Sequence, residues 1–111
     1  MKKEFRLRLQ RDFDRVFRSG RSITHQELTL RYSPNNLNFP RVAIVVSQKV
    51  AKKAAKRNLL KRRLKEIVRK RLNLIGNWDL IFIARNRLTE KEFLQLEAIV
   101  ERLLKESKIH R

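Results

Sequence analysis

No cysteine occurs in this sequence, so neither a disulfide framework nor a thiolate metal site can be built from it. Glycine and proline number two each, too few for an interdomain linker or for a glycine-rich loop that cradles phosphate. There is no apolar span of about twenty residues and nothing that resembles a signal peptide, which makes the cytoplasm the expected compartment. His25 and His110 stand alone, with no second ligand at metal spacing, and no serine sits in a recognisable nucleophile elbow. An autonomous enzyme is therefore not expected. Acidic residues are also scarce. Only 11 Asp and Glu face 29 Lys and Arg, for a formal net charge of +18. An excess of that size calls for a polyanionic partner, nucleic acid before an anionic membrane.

What is present is enough for a packed core. The 111 residues are 41% hydrophobic and 36% charged, with the apolar positions spread along the chain. One domain over residues 1–111 is the expectation. Within it, residues 1–8 form a basic arm, loosely ordered until Leu9. Leu9, Phe13, Val16 and Phe17 recur at helical spacing, which predicts a helix over about 11–18 closed by a left-handed cap at Gly20. Arg21 to Thr24 and Glu27 to Tyr32 have strand character, the second alternating as Leu28, Leu30, Tyr32. Residues 33–40 carry turn chemistry. Val42 to Val46 form a continuous β-branched run expected to be covered on both faces, and Leu80 to Ala84 form a second apolar strand, with Trp78 packing beneath the sheet. Thr89-Glu90-Lys91-Glu92 fits a capping box with Leu88 and Phe93 as its staple, opening a scaffold helix over 88–106 before a tail at 107–111. The order α-β-β-β-α-β-α predicts an α+β domain whose four-stranded mixed sheet contains one crossover through a long basic helix.

That helix falls within residues 51–71, AKKAAKRNLLKRRLKEIVRKR, where eleven Lys or Arg meet a single Glu66. Leu60, Leu64, Ile67, Val68 and Leu72 gather on one side and can dock on the sheet. Asn58, Arg62, Lys65 and Arg69 form a separate stripe, while Arg57 and Lys61 lie toward the apolar side. Like charges at i, i+4 cost a few tenths of a kcal/mol each, and a helix needing only solubility would alternate signs. Phosphates would offset that repulsion through counterion release. A membrane-surface helix fits less well, because this stretch has no Trp or Phe and its apolar face is needed by the core. The charge is also regional: 24 Lys or Arg against 6 Asp or Glu in residues 1–87, and five of each in residues 88–111.

The strand Val42-Ala43-Ile44-Val45-Val46-Ser47, followed by Lys49, Ala54, Arg57-Asn58, Lys61-Arg62 and Lys65, resembles the bacterial ribonuclease P protein subunit. The likeness extends to Asp12-Phe13, Val16-Phe17 and Gly20 in front and to Asp79 through Ala84 with Arg85 behind. The resemblance implies a protein without catalytic residues that assembles with a catalytic RNA to remove the 5′ leader of precursor tRNA, so that the polypeptide alone is inactive. It implies that the basic helix faces the catalytic RNA, that a cleft between the first helix and the sheet receives the single-stranded leader, and that the crossover is left-handed. Magnesium would then belong to the RNA. Three positions depart from the family pattern: Ala51 where Gly is common, Lys65 where Arg is common, and Gln48 in place of a frequent Lys. A cleft aromatic common near Arg31 is displaced here to Tyr32, and a one-residue offset changes the face of the strand.

The residues expected to meet the catalytic RNA are Lys52, Lys53, Lys56, Arg57, Asn58, Lys61, Arg62, Lys65 and Arg69. Those expected at the leader are Phe13, Phe17 and the strand surface around Val46 and Lys49, with Arg6, Arg8 and Arg11 as auxiliary phosphate contacts. Two Phe at i, i+4 by spacing alone belong more often to the core than to base stacking, the resemblance brings the two readings level, and one ring edge could serve both. Beside a ribonuclease P subunit stand two other readings: a structural rRNA-binding protein with no processing role, and a non-specific DNA-compacting protein.

Overall fold

The computed structural model describes residues 1–85 and 87–111. In chain order its regular elements are α1 (Gln10–Ser19), β1 (Arg21–His25), β2 (Leu28–Pro34), β3 (Arg41–Val45), α2 (Ala54–Arg69), β4 (Trp78–Ala84) and α3 (Phe93–Ser107). The strands form one mixed sheet in the order β1-β2-β4-β3, with β3 parallel to β4 and the other pairings antiparallel. This is the expected α+β architecture.

Register assigns the side chains to two faces. Ile23, Leu30, Phe82 and Ile44 stand opposite one another across the strands and point with Leu28, Tyr32 and Leu80 into the main core. Helices α2 and α3 cover this face, bringing Leu64, Ile67, Val68, Leu96, Val100 and Leu103, all fully buried. The other face carries Ser22, Arg31, Ile81 and Ala43 in the adjacent row. Helix α1 covers only part of it, inserting Val16 against Ile81 and Leu7. The uncovered remainder becomes the concave surface described below.

Several local expectations change. Strand β3 lies at the sheet edge, and Val45 is 37% exposed, so β3 is not covered on both faces. The arm is anchored: residues 3–5 form a 3₁₀ turn, Arg6 bridges to Val42, and the Leu7 N–H donates to the Val42 carbonyl at 2.9 Å. Those bonds satisfy part of an otherwise open strand edge. Ser33 and Pro34 extend β2 instead of opening the turn, pairing with Asp79 and Trp78. Trp78 is half-buried and meets Tyr32 edge-on at 5.7 Å. The tail is not loose, since Ile109 is fully buried and the Gly76 N–H donates to its carbonyl at 2.9 Å.

Helix α3 begins later than the Thr89 box would place it. Leu88 is fully buried, and the chain makes a separate 3₁₀ turn over Leu88–Glu90 before Lys91 returns to an extended conformation. The capping box is Glu92 with Gln95, the Gln95 Oε1 accepting from the Glu92 N–H at 2.9 Å.

Gly20 has φ −80°, ψ 165°, so left-handed geometry is not its role. A Cβ there would lie 2.3 Å from the Val16 carbonyl oxygen and 2.8 Å from that of Tyr32. Glycine lets the end of α1 close onto β2. Gly20→Ala should therefore destabilise by about 2 kcal/mol, through forced separation of packed backbone, as read by chemical denaturation. The β1–β2 hairpin turns through Gln26 and Glu27, at φ 41° and φ 68°, where Glu27 was expected to belong to the strand. Two residues with positive φ make the tight turn that matches strand twist, a conformation that favours Asn-Gly. Gln26→Asn with Glu27→Gly should stabilise the protein by about 1 kcal/mol, raising Tm by roughly 4 °C. The Arg85 N–H bond to the Glu27 carbonyl survives that change.

Candidate nucleic-acid interface

Helix α2 begins at Ala54 with no side-chain cap on its first turn, so Lys52 and Lys53 lie in the preceding turn and not on the helix. Arg57 holds that turn. Its Nη1 donates to the Ala51 carbonyl at 2.8 Å and to the Lys52 carbonyl at 2.7 Å, leaving the guanidinium half-buried. Arg57 thus has a structural task in the free protein, and it presents Lys52 and Lys53 to solvent. With Leu60, Leu64, Ile67 and Val68 inward, Asn58, Arg62 and Lys65 point outward and are exposed, as is Lys56, while Lys61 is half-buried beside the core. Among the described residues, none of the four cations Lys56, Lys61, Arg62 and Lys65 makes an ion pair.

The last turn differs. Arg69 donates to both oxygens of Glu66, at 3.1 and 2.7 Å, and Lys70 adds a third charge at 3.9 Å. The hydrogen bond from Arg69 holds the Glu66 carboxyl below the usual carboxylate range. Arg71 is bound by Glu97 and Glu101 of α3; burial lowers its pKa, and the two carboxylates more than offset that. Among the described residues, the carboxylates ion-paired with α2 and the turn after it sit at its C-terminal end, while Glu90 shares a cavity with Lys56 and Arg63 without an ion pair. The unneutralised charge lies between Lys52 and Lys65.

On the other side of the sheet, α1 and the uncovered strands form a cleft. Phe13 is half-buried against the cluster of Leu7, Val16 and Ile81, on which Ala43 and Ile83 also pack, whereas Phe17 is 45% exposed. The Arg31 guanidinium lies 5.1 Å from the Phe17 ring centroid, and its Nη2 donates to the Phe17 carbonyl at 2.6 Å. Tyr32 is 5% exposed in the main core, so Arg31 and not Tyr32 is the β2 side chain at the cleft. The Arg31 Nε is buried without a hydrogen-bond partner among the described residues. Val46 is 7% exposed and packs in the main core with Leu60 and Leu64, so it offers no side-chain surface to a ligand. The apolar surface on that side comes from Val45 and Ala43, which alternate with it. Lys49 is exposed in the turn after β3, where the Val50 N–H donates to the Ser47 carbonyl at 3.1 Å.

Three groups of expected residues meet at one concavity. A cavity of about 220 Å³ is lined by Arg6 and Arg8 from the arm, Phe13 from α1, Ala43 and Ile44 from β3, and Lys65 from α2. The basic helix therefore reaches the cleft around the β3 edge. Arg11 lies apart from it, beside Arg15 and Arg41.

The placement of α1 depends on a buried carboxylate. Asp79 at the start of β4 is fully buried and accepts from Arg41 at 2.9 and 2.7 Å, from Asn35 at 2.9 Å, and from Arg15 of α1. Arg41 also reaches Asp12 of α1 at 3.2 Å. Hydrogen bonding to Asp79 raises the Arg41 pKa above its already high ordinary value against the opposing effect of burial. This network fixes α1 over the sheet and so fixes the cleft width. Among the described residues no group of three or more His, Cys, Asp or Glu is placed to hold a metal ion, and no helix is long and apolar enough to cross a membrane.

A family model described as Ribonuclease P matches residues 1–108. The chain is 36% identical over 110 residues to the ribonuclease P protein component of Clostridium botulinum (strain Langeland), covering 97% of this chain and 98% of the relative. It is 40% identical over 102 residues to that of Thermotoga petrophila, covering 89% and 86%. Among solved structures, the RNase P protein of Staphylococcus aureus superposes with a TM-score of 0.89 at 28% identity, over 96% of this chain and 98% of that one. The RNase P protein from Thermotoga maritima does so with a TM-score of 0.82 at 33% identity, over 91% and 96%.

Proposed function

Since this chain belongs to the ribonuclease P protein family, we propose that it acts beside a catalytic RNA in removing the 5′ leader of precursor tRNA, using two surfaces for two RNA elements. Helix α2 and the turn before it meet the catalytic RNA through Lys52, Lys53, Lys56, Asn58, Lys61, Arg62 and Lys65. Arg57 contributes by holding the turn, and Arg69 contributes less because Glu66 already engages it. The cleft takes the leader. Phe17 and Arg31 offer a ring and a guanidinium plane to unstacked bases, Ala43, Val45 and Phe13 offer apolar surface, and Lys49, Arg6 and Arg8 offer cations to the leader backbone. Arg11 is an auxiliary contact beyond the cleft.

The observation that carries this reading is the unpaired charge of α2. A helix that buries its apolar face in the core yet leaves its cations from Lys56 to Lys65 without ion-pair partners among the described residues is electrostatically incomplete alone. A phosphate backbone completes it, and each contact releases condensed counterions. The RNA supplies the catalytic groups and holds the magnesium ions. The protein lowers the magnesium requirement by adding fixed positive charge and retains the substrate through its leader.

Precursor tRNAs with progressively shorter leaders test the cleft. Their affinity for the catalytic RNA should rise on adding the protein when the leader is long, and the gain should vanish for the shortest leader. An equal gain at every length would remove the leader from the cleft.

A further inference from the structure

A cavity of about 540 Å³ lies where the N-terminal arm, the Phe39-Pro40 segment, the C-terminal end of α2 and Arg111 converge. It shares only Met1 with the cavity under Phe13 and contains no leader-cleft residue. Its walls are apolar: Phe5 and Phe39 meet edge-to-face at 5.6 Å, with Pro40 and Leu72 beside them. Three cations, Lys2, Arg69 and Arg111, line it as well, Arg69 being held from outside by Glu66, and among the described residues no carboxylate side chain lines it. Asn73 adds an amide that makes no side-chain hydrogen bond among the described residues.

We propose that this cavity receives an unpaired nucleotide of the catalytic RNA, its base against the Phe5–Phe39 wall and its phosphate between Lys2 and Arg111. The inference rests on the function proposed above. Charge and position both favour this occupant. Arg69 is simultaneously the last residue of the outward α2 stripe and a wall of the cavity. A strand following the stripe from Asn58 travels about 16 Å along the helix and arrives at the opening. An apolar wall edged by Lys2 and Arg111, with Arg69 beside them already held by Glu66, suits a base carrying a phosphate better than it suits an apolar peptide. The volume lies in the range of pockets that enclose a small ligand. Asn73 can pair with a base edge as donor and acceptor.

The test uses the full chain assembled with a bacterial catalytic RNA. A photo-reactive p-azidophenylalanine replaces Phe39 in one preparation and Arg62 in another. Crosslinking from both positions is expected, with position 39 reaching one unpaired nucleotide and a millimolar excess of nucleoside monophosphate lowering that yield less than twofold. Crosslinking from position 62 without position 39, from position 39 to base-paired nucleotides alone, or one abolished by the free nucleotide would overturn this inference and leave the helix assignment intact. Failure at both positions would overturn the helix assignment and this inference together. Independently, Phe39→Leu keeps the wall apolar but removes the ring. It should weaken catalytic-RNA binding about tenfold and leave leader-length dependence unchanged. An unaltered affinity would count against a seated base.

Discussion

Replacing Lys61, Arg62 and Lys65 together by glutamine should weaken binding to the catalytic RNA by several hundred-fold in about 0.1 M salt. Each cation lost from a phosphate contact gives up roughly 0.9 of a released counterion, so the plot of log affinity against log salt should flatten by about 2.7. The fold should persist. Arg62 and Lys65 are exposed and none of the three makes an ion pair among the described residues, so their loss relieves repulsion in the free protein. A salt titration of binding by the variant and the parent reads affinity and slope together. Arg69→Gln is the internal comparison: with Glu66 already holding that guanidinium, it should change the slope by well under one unit.

The largest effect on stability is expected at Asp79. Asp79→Ala removes a fully buried carboxylate that accepts from Arg41, Asn35 and Arg15, and leaves two guanidinium groups without their common partner. Orphaning a buried charge costs about 3–5 kcal/mol, and the lower end applies because Arg15 and Arg41 keep some contact with water. A loss of about 3 kcal/mol corresponds to a fall in Tm of roughly 12 °C for a chain of this size. The functional consequence should be selective. Arg15 ties α1 to Asp79, so loosening α1 should erase the protein's preference for long leaders while α2 still binds the catalytic RNA. Thermal melting and leader-length assays on the same variant check both halves. Equal losses at both surfaces would show that the network supports the whole domain and not the cleft.

Much of this arrangement was legible in residue periodicity. The apolar stripe from Leu60 to Val68 and its outward cations were read correctly because helical spacing alone separates them. The alternation Leu28, Leu30, Tyr32 already put Arg31 on the opposite face, and the register bears this out. Val46 was misassigned for the same reason inverted: a continuous β-branched run carries no alternation, so nothing in it tells an inward Val46 from an outward Val45. The Arg57 contacts to the Ala51 and Lys52 carbonyls, the Arg31–Phe17 pair and the Asp79 network depend on side chains distant in sequence or on turn geometry. Local pattern cannot supply them. Gly20 shows a subtler limit. Its position after a helix fits a left-handed cap, whereas its actual constraint is close approach to the Val16 carbonyl and to the Tyr32 backbone, the second of which lies on a strand that local pattern does not place.

The most direct measurement is single-turnover cleavage of precursor tRNA by a bacterial catalytic RNA at low magnesium, with and without this protein. Substrates with a long and a very short leader should be compared side by side. Strong stimulation that fades with the short leader is the predicted result, since charge from α2 would replace magnesium and the cleft would hold the leader. Salt-sensitive binding with no stimulation on either substrate would contradict it, and would leave a basic protein that occupies RNA without serving its cleavage.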